Sequence, residues 1–285
     1  TNALVEGQGG RIALIAIGFD DTDLTRAGLT EALRGDPVIR LAGGHSHAGA
    51  EAAPLDLDAL RRALVDLDDG ITGFAVAASF ATRNPAHEVA ARDLIRQMIE
   101  KPVSCSHELS QALGGPKRAL TAVLNARLIG MLDRLINACE DHLTKTGITA
   151  RLMVVRGDGA LVSADLAREK PIETILSGPA ASIAGASWLS GETDALVSDI
   201  GGTTTDVCLL RDGRPKIDPQ GARVGPFRTM VEAVAMRTRG LGGDSEVHVV
   251  EGLEGGLRLG PRRLMPVALT AYHYPDLVHA ALDRG

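Results

Sequence analysis

Two adjacent glycines set between carboxylates at a strand end constrain this chain more than any other stretch. From Leu196 to Ile217, alternating β-branched and apolar residues read as a strand running into Asp199, a turn at Gly201-Gly202 and a returning strand from Thr204 to Leu210. A second turn at Asp212-Gly213 leads into a third strand. Glycine lets backbone pass close to a ligand. The amides of Gly201 and Gly202 with the hydroxyls of Thr203 and Thr204 therefore make a donor-rich hollow suited to phosphate. Asp199 and Asp206, one on either side, can hold Mg²⁺ through water, as that ion prefers. An ordinary β-ribbon with a Gly-Gly turn is the alternative. Asp-x-Gly-Gly-Thr-x-x-Asp at a strand end is the more specific pattern and points to nucleotide phosphates, whereas the Gly-Lys-Ser/Thr signature of the strand–loop–helix phosphate loop is absent.

A second glycine loop, Gly240 to Ser245, offers bare amides at Gly242 and Gly243, with a carboxylate at Asp244 and a hydroxyl at Ser245. Such loops mostly serve turns; beside the hairpin this one reads as a second wall of the same phosphate site. Ser177-Gly178-Pro179 opens a helix of small residues running to Trp188. Either its N-terminus receives an anion, or it is a close-packed Ala/Gly helix touching a sheet. Asp158, in the Gly157–Gly159 turn after a strand from Arg151 to Arg156, occupies the kind of strand end where open α/β folds place their sites.

The rest of the chain supplies an α/β frame. Arg11 to Ile17 is nearly continuous in apolar residues, as buried parallel strands are. A helix from Thr22 to Leu33, a strand from Pro37 to Leu41 and a helix from Pro54 to Asp69 with Asp56 as its cap follow. Then come a strand from Gly73 to Phe80, a helix opened by Asn84-Pro85 and reaching Glu100, and a strand from Val103 to Ser106. Strand, helix and strand with short connections imply right-handed parallel crossovers. Pro116 to Thr146 is one long helix with an apolar face through Leu120, Leu124, Leu128, Met131, Leu135, Cys139 and Leu143. Thr229 to Met236 reads as a strand, residues 246–250 and 257–259 as a small hairpin, and Tyr272 to Gly285 as a terminal helix.

His45 and His47 stand two apart and could share a face as metal ligands, but no nearby carboxylate or third His completes a set, and a solvated loop pair is the better reading. His87-Glu88 lacks the second His of a zinc protease motif and reads as a polar helix N-terminus.

Over 285 residues the formal charge is −6, which argues against a nucleic-acid partner. With aromatics at 2%, the core must be built of Ala, Leu, Val and Ile. Three cysteines, Cys105, Cys139 and Cys208, lie far apart in apolar contexts and read as buried thiols of a reducing, cytoplasmic compartment. No apolar run is long enough to span a bilayer, so no membrane role is expected.

Taken in order, the motifs resemble the hydantoinase A/5-oxoprolinase family. Thr1-Asn-Ala-Leu4, Ser79-Phe80, Asn84 to Glu88 and Ser104 to Glu108 are similar to its N-terminal region. Thr121 to Asn125, Gly157 to Gly159, Ser177 to Ala180, Asp199 to Asp206 and Gly240 to Gly243 follow in family order. The resemblance covers nearly the whole chain. It implies an actin/hexokinase/Hsp70-like (ribonuclease H-like) two-domain α/β fold, here partial, clasping ATP, with residues 1–115 the remainder of an N-terminal domain and 116–285 the domain carrying the hairpin. It implies ATP and Mg²⁺ as cofactors, a small cyclic amide such as 5-oxoproline or a hydantoin, or else a ketone, as substrate, and a second, B-type subunit as partner. The amide branch phosphorylates a carbonyl oxygen; a small-molecule kinase and a non-catalytic ATP-binding module are the other readings. The family's other Asp-x-Gly-Gly-Thr hairpin and its Gly-Gly-Ala-Gly-Pro element are not in this chain, Asp244 stands at a usual glycine, and the stretch from Thr270 to Asp276 departs from the family's ending. On this pattern the chain is expected to be an internal fragment, or a diverged subgroup missing both ends of the nucleotide clamp, and inactive or nearly so by itself, because phosphoryl transfer depends on positioning and charge stabilisation.

Overall fold

The computed structural model describes Leu4, residues 8–250 and residues 255–284. The opening Thr1-Asn-Ala segment lies outside the described residues. The chain divides into two compact units, residues 1–180 with 217–234 and residues 181–216 with 235–285.

The first unit is built on a four-stranded parallel sheet of β1 (Ile12–Ile17), β2 (Val38–Leu41), β3 (Gly73–Ala78) and β4 (Val103–Cys105), in the order β2-β1-β3-β4. Every residue of β1 and β3 is buried, because helices cover both faces. Ala13, Ile15 and Ile17 of β1, with Phe74 and Val76 of β3, meet Leu60 and Leu64 of α1 (Leu57–Val65) and Ala91 and Ile95 of α2 (Ala86–Met98). Ile12, Leu14, Ala75 and Ala77 point the other way, towards Leu120, Val123 and Leu124 of α3 (Gly115–Lys145). The strand period of two thus splits one apolar run between two cores.

Local signals place the boundaries. Asp56 caps α1 by accepting from the Ala59 amide at 2.8 Å. At α2 the Asn84 side chain accepts from the Ala86 amide at 3.0 Å, with Pro85 in the cap position. The helix expected from Thr22 to Leu33 is instead two short helices, Asp21–Thr25 and Leu29–Leu33. Ala27 and Gly28 between them take φ of 59° and 74°, left-handed backbone that a continuous helix excludes.

α3 belongs to the first unit. Residues 118–128 are buried, whereas Leu135 on the expected apolar face is 58% exposed. Further along, Ile136 and Leu132 turn to a small satellite core with Ala164, Ala167, Val154 and Val162, formed by the hairpin of β5 (Met153–Val155) and β6 (Leu161–Ser163) and the helix α4 (Ala164–Glu169). Residues 217–234 return to the first unit, where Ala222, Val224, Phe227 and Val231 join the α3 core. The strand expected from Thr229 to Met236 does not form there. Its backbone is tied at separate points, Thr229 to Ala222, Ala222 to Val231 and Val234 to Gly157, with no continuous ladder. The helix α5 (Ser177–Ser190) follows the unit's last turn.

The second unit is antiparallel. β7 (Ala195–Ile200) pairs with β8 (Thr205–Arg211), which turns through Asp212 and Gly213, both at positive φ, into β9 (Arg214–Pro215). β10 (Met236–Arg239) pairs on the other side of β8. A separate hairpin of β11 (Ser245–Val250) and β12 (Gly256–Arg263) precedes α6 (Val267–His273) and α7 (Pro275–Leu282), two helices where one was expected. No helix among the described residues is long and apolar enough to cross a membrane.

Candidate functional site

The sequence-marked hairpin forms in the second unit. Gly201 N donates to Thr204 O at 2.9 Å, closing a two-residue loop of Gly202 and Thr203 between β7 and β8. Asp199 and Asp206 are directly cross-strand partners, so their carboxylates share a face. Like charges set opposite one another on a sheet are unfavourable unless a cation relieves them. The Thr238 hydroxyl donates to Asp206 Oδ1 at 2.5 Å and anchors that carboxylate. Two carboxylates, Asp199 with no partner among the described residues and Asp206 anchored, fit a Mg²⁺ held largely through water.

The second glycine loop docks on this turn. Gly243 N donates to Gly201 O and Asp244 N to Gly202 O, both at 2.9 Å, while the Thr205 hydroxyl donates to Leu241 O at 2.7 Å. The approach needs glycine: a Cβ on Gly242 would stand 2.5 Å from the Gly201 carbonyl oxygen, and one on Gly202 2.6 Å from Asp244 Oδ2. Gly242 N donates to Ser245 Oγ at 3.0 Å. The loop's amides at Gly242, Gly243 and Asp244 are thus not bare, as the sequence suggested; they hold the hairpin. The Gly202 amide has no partner among the described residues, and Thr203 Oγ1 accepts from Arg263 Nη1 at 2.6 Å. Arg263 brings a cation to the loop, and nothing in its sequence context announces it.

The remaining sequence candidates lie in the first unit. Asp158 is a turn residue, accepting from Arg156 at 2.8 Å and from the Ala160 amide at 3.0 Å. Ser177 and Gly178 begin α5; Ala180 and Ile183 are buried there, but a Cβ on Gly178 or Gly185 would meet nothing within 4 Å, so the glycines do not serve close packing.

Two sequence readings are corrected at the carboxyl edge of the parallel sheet, where α/β folds bind their ligands. His45 is not solvated: it is 4% exposed, its ring tilted by 42° against that of His87 with centroids 4.3 Å apart, and its Nδ1 has no partner among the described residues. Burial first, and the neighbouring His87 second, push its pKa down. His47 is the exposed member of the pair. His87 Nδ1 accepts from the Gly44 amide at 2.9 Å, so its proton sits on Nε2, 3.1 Å from Glu51 Oε1. That tautomer leaves His87 no lone pair for a metal.

Glu88 does stand in the first turn of α2, as expected of a polar helix start, but it is a fully buried carboxylate. It accepts from Ala78 N at 2.7 Å, the Ser106 hydroxyl at 2.6 Å, His107 N at 3.0 Å and His107 Nδ1 at 2.6 Å. Arg118, 1% exposed, donates to Ala78 O and Ala112 O at 3.2 Å and lies beside Ser106. Burial lowers the Arg118 pKa and the nearby Glu88 raises it in opposition. Glu88, Cys105 and His107 bring three possible ligand atoms within 4.8 Å of one another, but they do not fit a metal. Both Glu88 oxygens are already filled by donors, and burial, with Glu88 second, pushes the Cys105 thiol up, away from the thiolate a metal needs. Iodoacetamide at pH 8 is therefore expected to label Cys139, which is half-buried, and to leave buried Cys105 and Cys208 unlabelled until denaturant is added. Mass spectrometry of the native protein decides it, and prompt labelling of Cys105 would show that the cluster opens.

Comparison with known proteins places these units. Residues 118–266 match the family model described as hydantoinase/oxoprolinase, and residues 1–99 match its N-terminal region. The acetophenone carboxylase gamma subunit of Aromatoleum aromaticum is 28% identical over 233 residues, 75% of this chain and 30% of that protein. The caprolactamase subunit alpha of Pseudomonas jessenii is 27% identical over 219 residues, 75% of this chain and 31% of that protein. The crystal structure of the ATP-dependent caprolactamase from the same organism superposes with a TM-score of 0.73 at 25% identity, covering 92% of this chain and 40% of that one. The chain thus spans under half the length of the relatives it matches.

Proposed function

The chain belongs to the hydantoinase/oxoprolinase family, and we propose on that premise that its hairpin is a phosphate-and-magnesium element of an ATP-dependent enzyme that opens a small cyclic amide. The observation that carries this reading is the docking of the Gly240–Ser245 loop on the Gly201–Gly202 turn. It holds the Gly202 amide, which has no partner among the described residues, the Thr203 and Thr204 hydroxyls and the Arg263 guanidinium on the same hairpin that carries the facing carboxylates. Donors and a cation set on rigid backbone suit the charge of a phosphate chain. Asp199 would orient a hydrated Mg²⁺, and Asp206, anchored by Thr238, would support the metal or the hairpin. Bound ATP supplies the phosphoryl group that makes the amide carbonyl reactive. The actin/hexokinase-like arrangement belongs to the same reading, as does a second subunit, since the caprolactamase and carboxylase relatives are themselves named as subunits. The carboxylase match favours a second reading, ATP-dependent carboxylation of a ketone.

The test is calorimetry of this chain with Mg-ATP. Asp199→Ala is expected to remove a micromolar binding heat while leaving the thermal transition in place. For turnover, the full-length protein with its partner subunit should release ADP when given ATP and 5-oxoproline, hydantoin, caprolactam, or acetone with bicarbonate. No heat for the wild type, or identical heats for both proteins, removes the hairpin from ATP binding; flat ADP release across the panel rejects the substrate class.

A further inference from the structure

The cluster around Glu88 is more elaborate than a buried carboxylate needs for its own solvation. Its two oxygens receive four donors, from Ala78 N and Ser106 Oγ on one and from His107 N and Nδ1 on the other. Ala78 N, Ser106 Oγ and His107 N donate to three of the four acceptor positions, and with a carboxylate at Glu88 the hydrogen at 2.6 Å belongs to His107 Nδ1. The backbone N–H of the same residue donates to the same oxygen, which fixes the ring from both ends. His107 Nε2 is therefore the lone-pair nitrogen. It has no hydrogen-bond partner among the described residues, and it is not among the atoms sealed from solvent on a side chain that is 15% exposed. A buried carboxylate behind an imidazole whose far nitrogen faces outward is the arrangement by which proteins orient a general base.

Its position agrees with that use. Glu88 bonds the last residue of β3, and His107 stands just past the end of β4, both at the carboxyl edge of the parallel sheet. The chain leaving β3 passes through Phe80, a bulky residue held at φ 53°. Backbone in that region persists only where its surroundings impose it, and it concentrates at working sites.

We infer that His107 Nε2 is a proton acceptor for water adding to an activated carbonyl carbon, with Glu88 as its positioning residue. The inference rests on the amide-opening reading above. In that step the water oxygen bonds to the carbon of an O-phosphorylated lactam and the C=N π pair moves to the ring nitrogen. The proton lost by water passes to Nε2 and is returned to that nitrogen. The C–N bond of the adduct then breaks, the second proton of the water going to the departing amine. The carbon keeps the phosphate as an acyl phosphate, which a further water hydrolyses to carboxylate and phosphate. Arg118 and Ser106 act only through Glu88.

The experiment uses the full-length protein with its partner subunit and caprolactam or 5-oxoproline as probe. His107→Ala removes the ring but keeps the backbone donor to Glu88. Its single-turnover ADP formation should stay within about threefold of wild type. Its ring-opened product should fall by roughly 10²–10⁴ and recover in part with added imidazole. In parallel, ¹⁵N spectra of this chain should show His107 protonated on Nδ1 and not on Nε2, a pattern that Glu88→Gln disturbs. Product formation unchanged in His107→Ala, a loss that imidazole does not relieve, ADP and product lost together, or an Nε2-protonated ring would each overturn the role of His107. Wild-type enzyme that releases no ADP with any probe overturns the amide-opening reading instead, and the water-addition step with it.

Discussion

Replacing Glu88 by alanine is expected to cost the first unit about 3–5 kcal/mol, enough to unfold a marginally stable protein. The carboxylate is fully buried, and so is Arg118 beside it. Removing the one leaves the other as an uncompensated charge, and it strips the Ala78 amide, the Ser106 hydroxyl and the His107 amide of their acceptor together. An unmade buried hydrogen bond costs about 1–3 kcal/mol by itself, so relaxation and entry of water must already be counted in the total. Glu88→Gln keeps the shape but turns one acceptor into a donor facing fixed N–H or O–H groups, and a smaller loss in the same direction follows. Urea unfolding of the three proteins measures it; an alanine variant within 1 kcal/mol of wild type would mean that water or Arg118 movement satisfies the cavity.

Gly242→Ala is the second large effect, and it falls on binding rather than on folding of the first unit. The added carbon would meet the carbonyl oxygens of Gly201 and Gly202, backbone atoms that cannot swing aside as a side chain would. The loop must lift, breaking the bonds from Gly243 and Asp244 that hold the turn. Mg-ATP affinity should drop at least about tenfold, about 1.4 kcal/mol, in the same calorimetric titration used for Asp199→Ala. Gly185→Ala is the control, since a Cβ there meets nothing within 4 Å. Equal affinities for the Gly242 variant and wild type would show that the docked loop is not part of the phosphate site.

What could be read from the sequence divides by the range of the interactions responsible. β1 and β3 were legible because apolar runs and their spacing are local, and so was Asp56 as a cap, whereas the cap of α2 falls on Pro85, one residue after the expected Asn84. The hairpin was legible because Gly201 and Gly202 have to lie between the strands they join. The break at Ala27-Gly28 was missed because one glycine in a helical pattern is commonly tolerated. Glu88 was missed for a different reason. Its helix-start context is polar, and its partners arrive from β3, from Ser106 and His107, and from α3, which only the parallel sheet brings together. The same long range conceals Arg263 beside Thr203, and it turned the free amides expected at Gly242 and Gly243 into structural donors.

The 31-residue helix α3 has buried residues from 118 to 128 and a largely exposed far half. A rod clamped at one end and held at the other only by a small satellite core does not open as a unit. Near Arg118 and Asn125 its amides are released only when the sheet beneath is lost, whereas those approaching Lys145 are freed by fraying, which needs far less energy. The continuous helix therefore joins a segment that keeps time with global unfolding to one that breathes on its own, and a disturbance at its far end has faded before it reaches the carboxylate cluster.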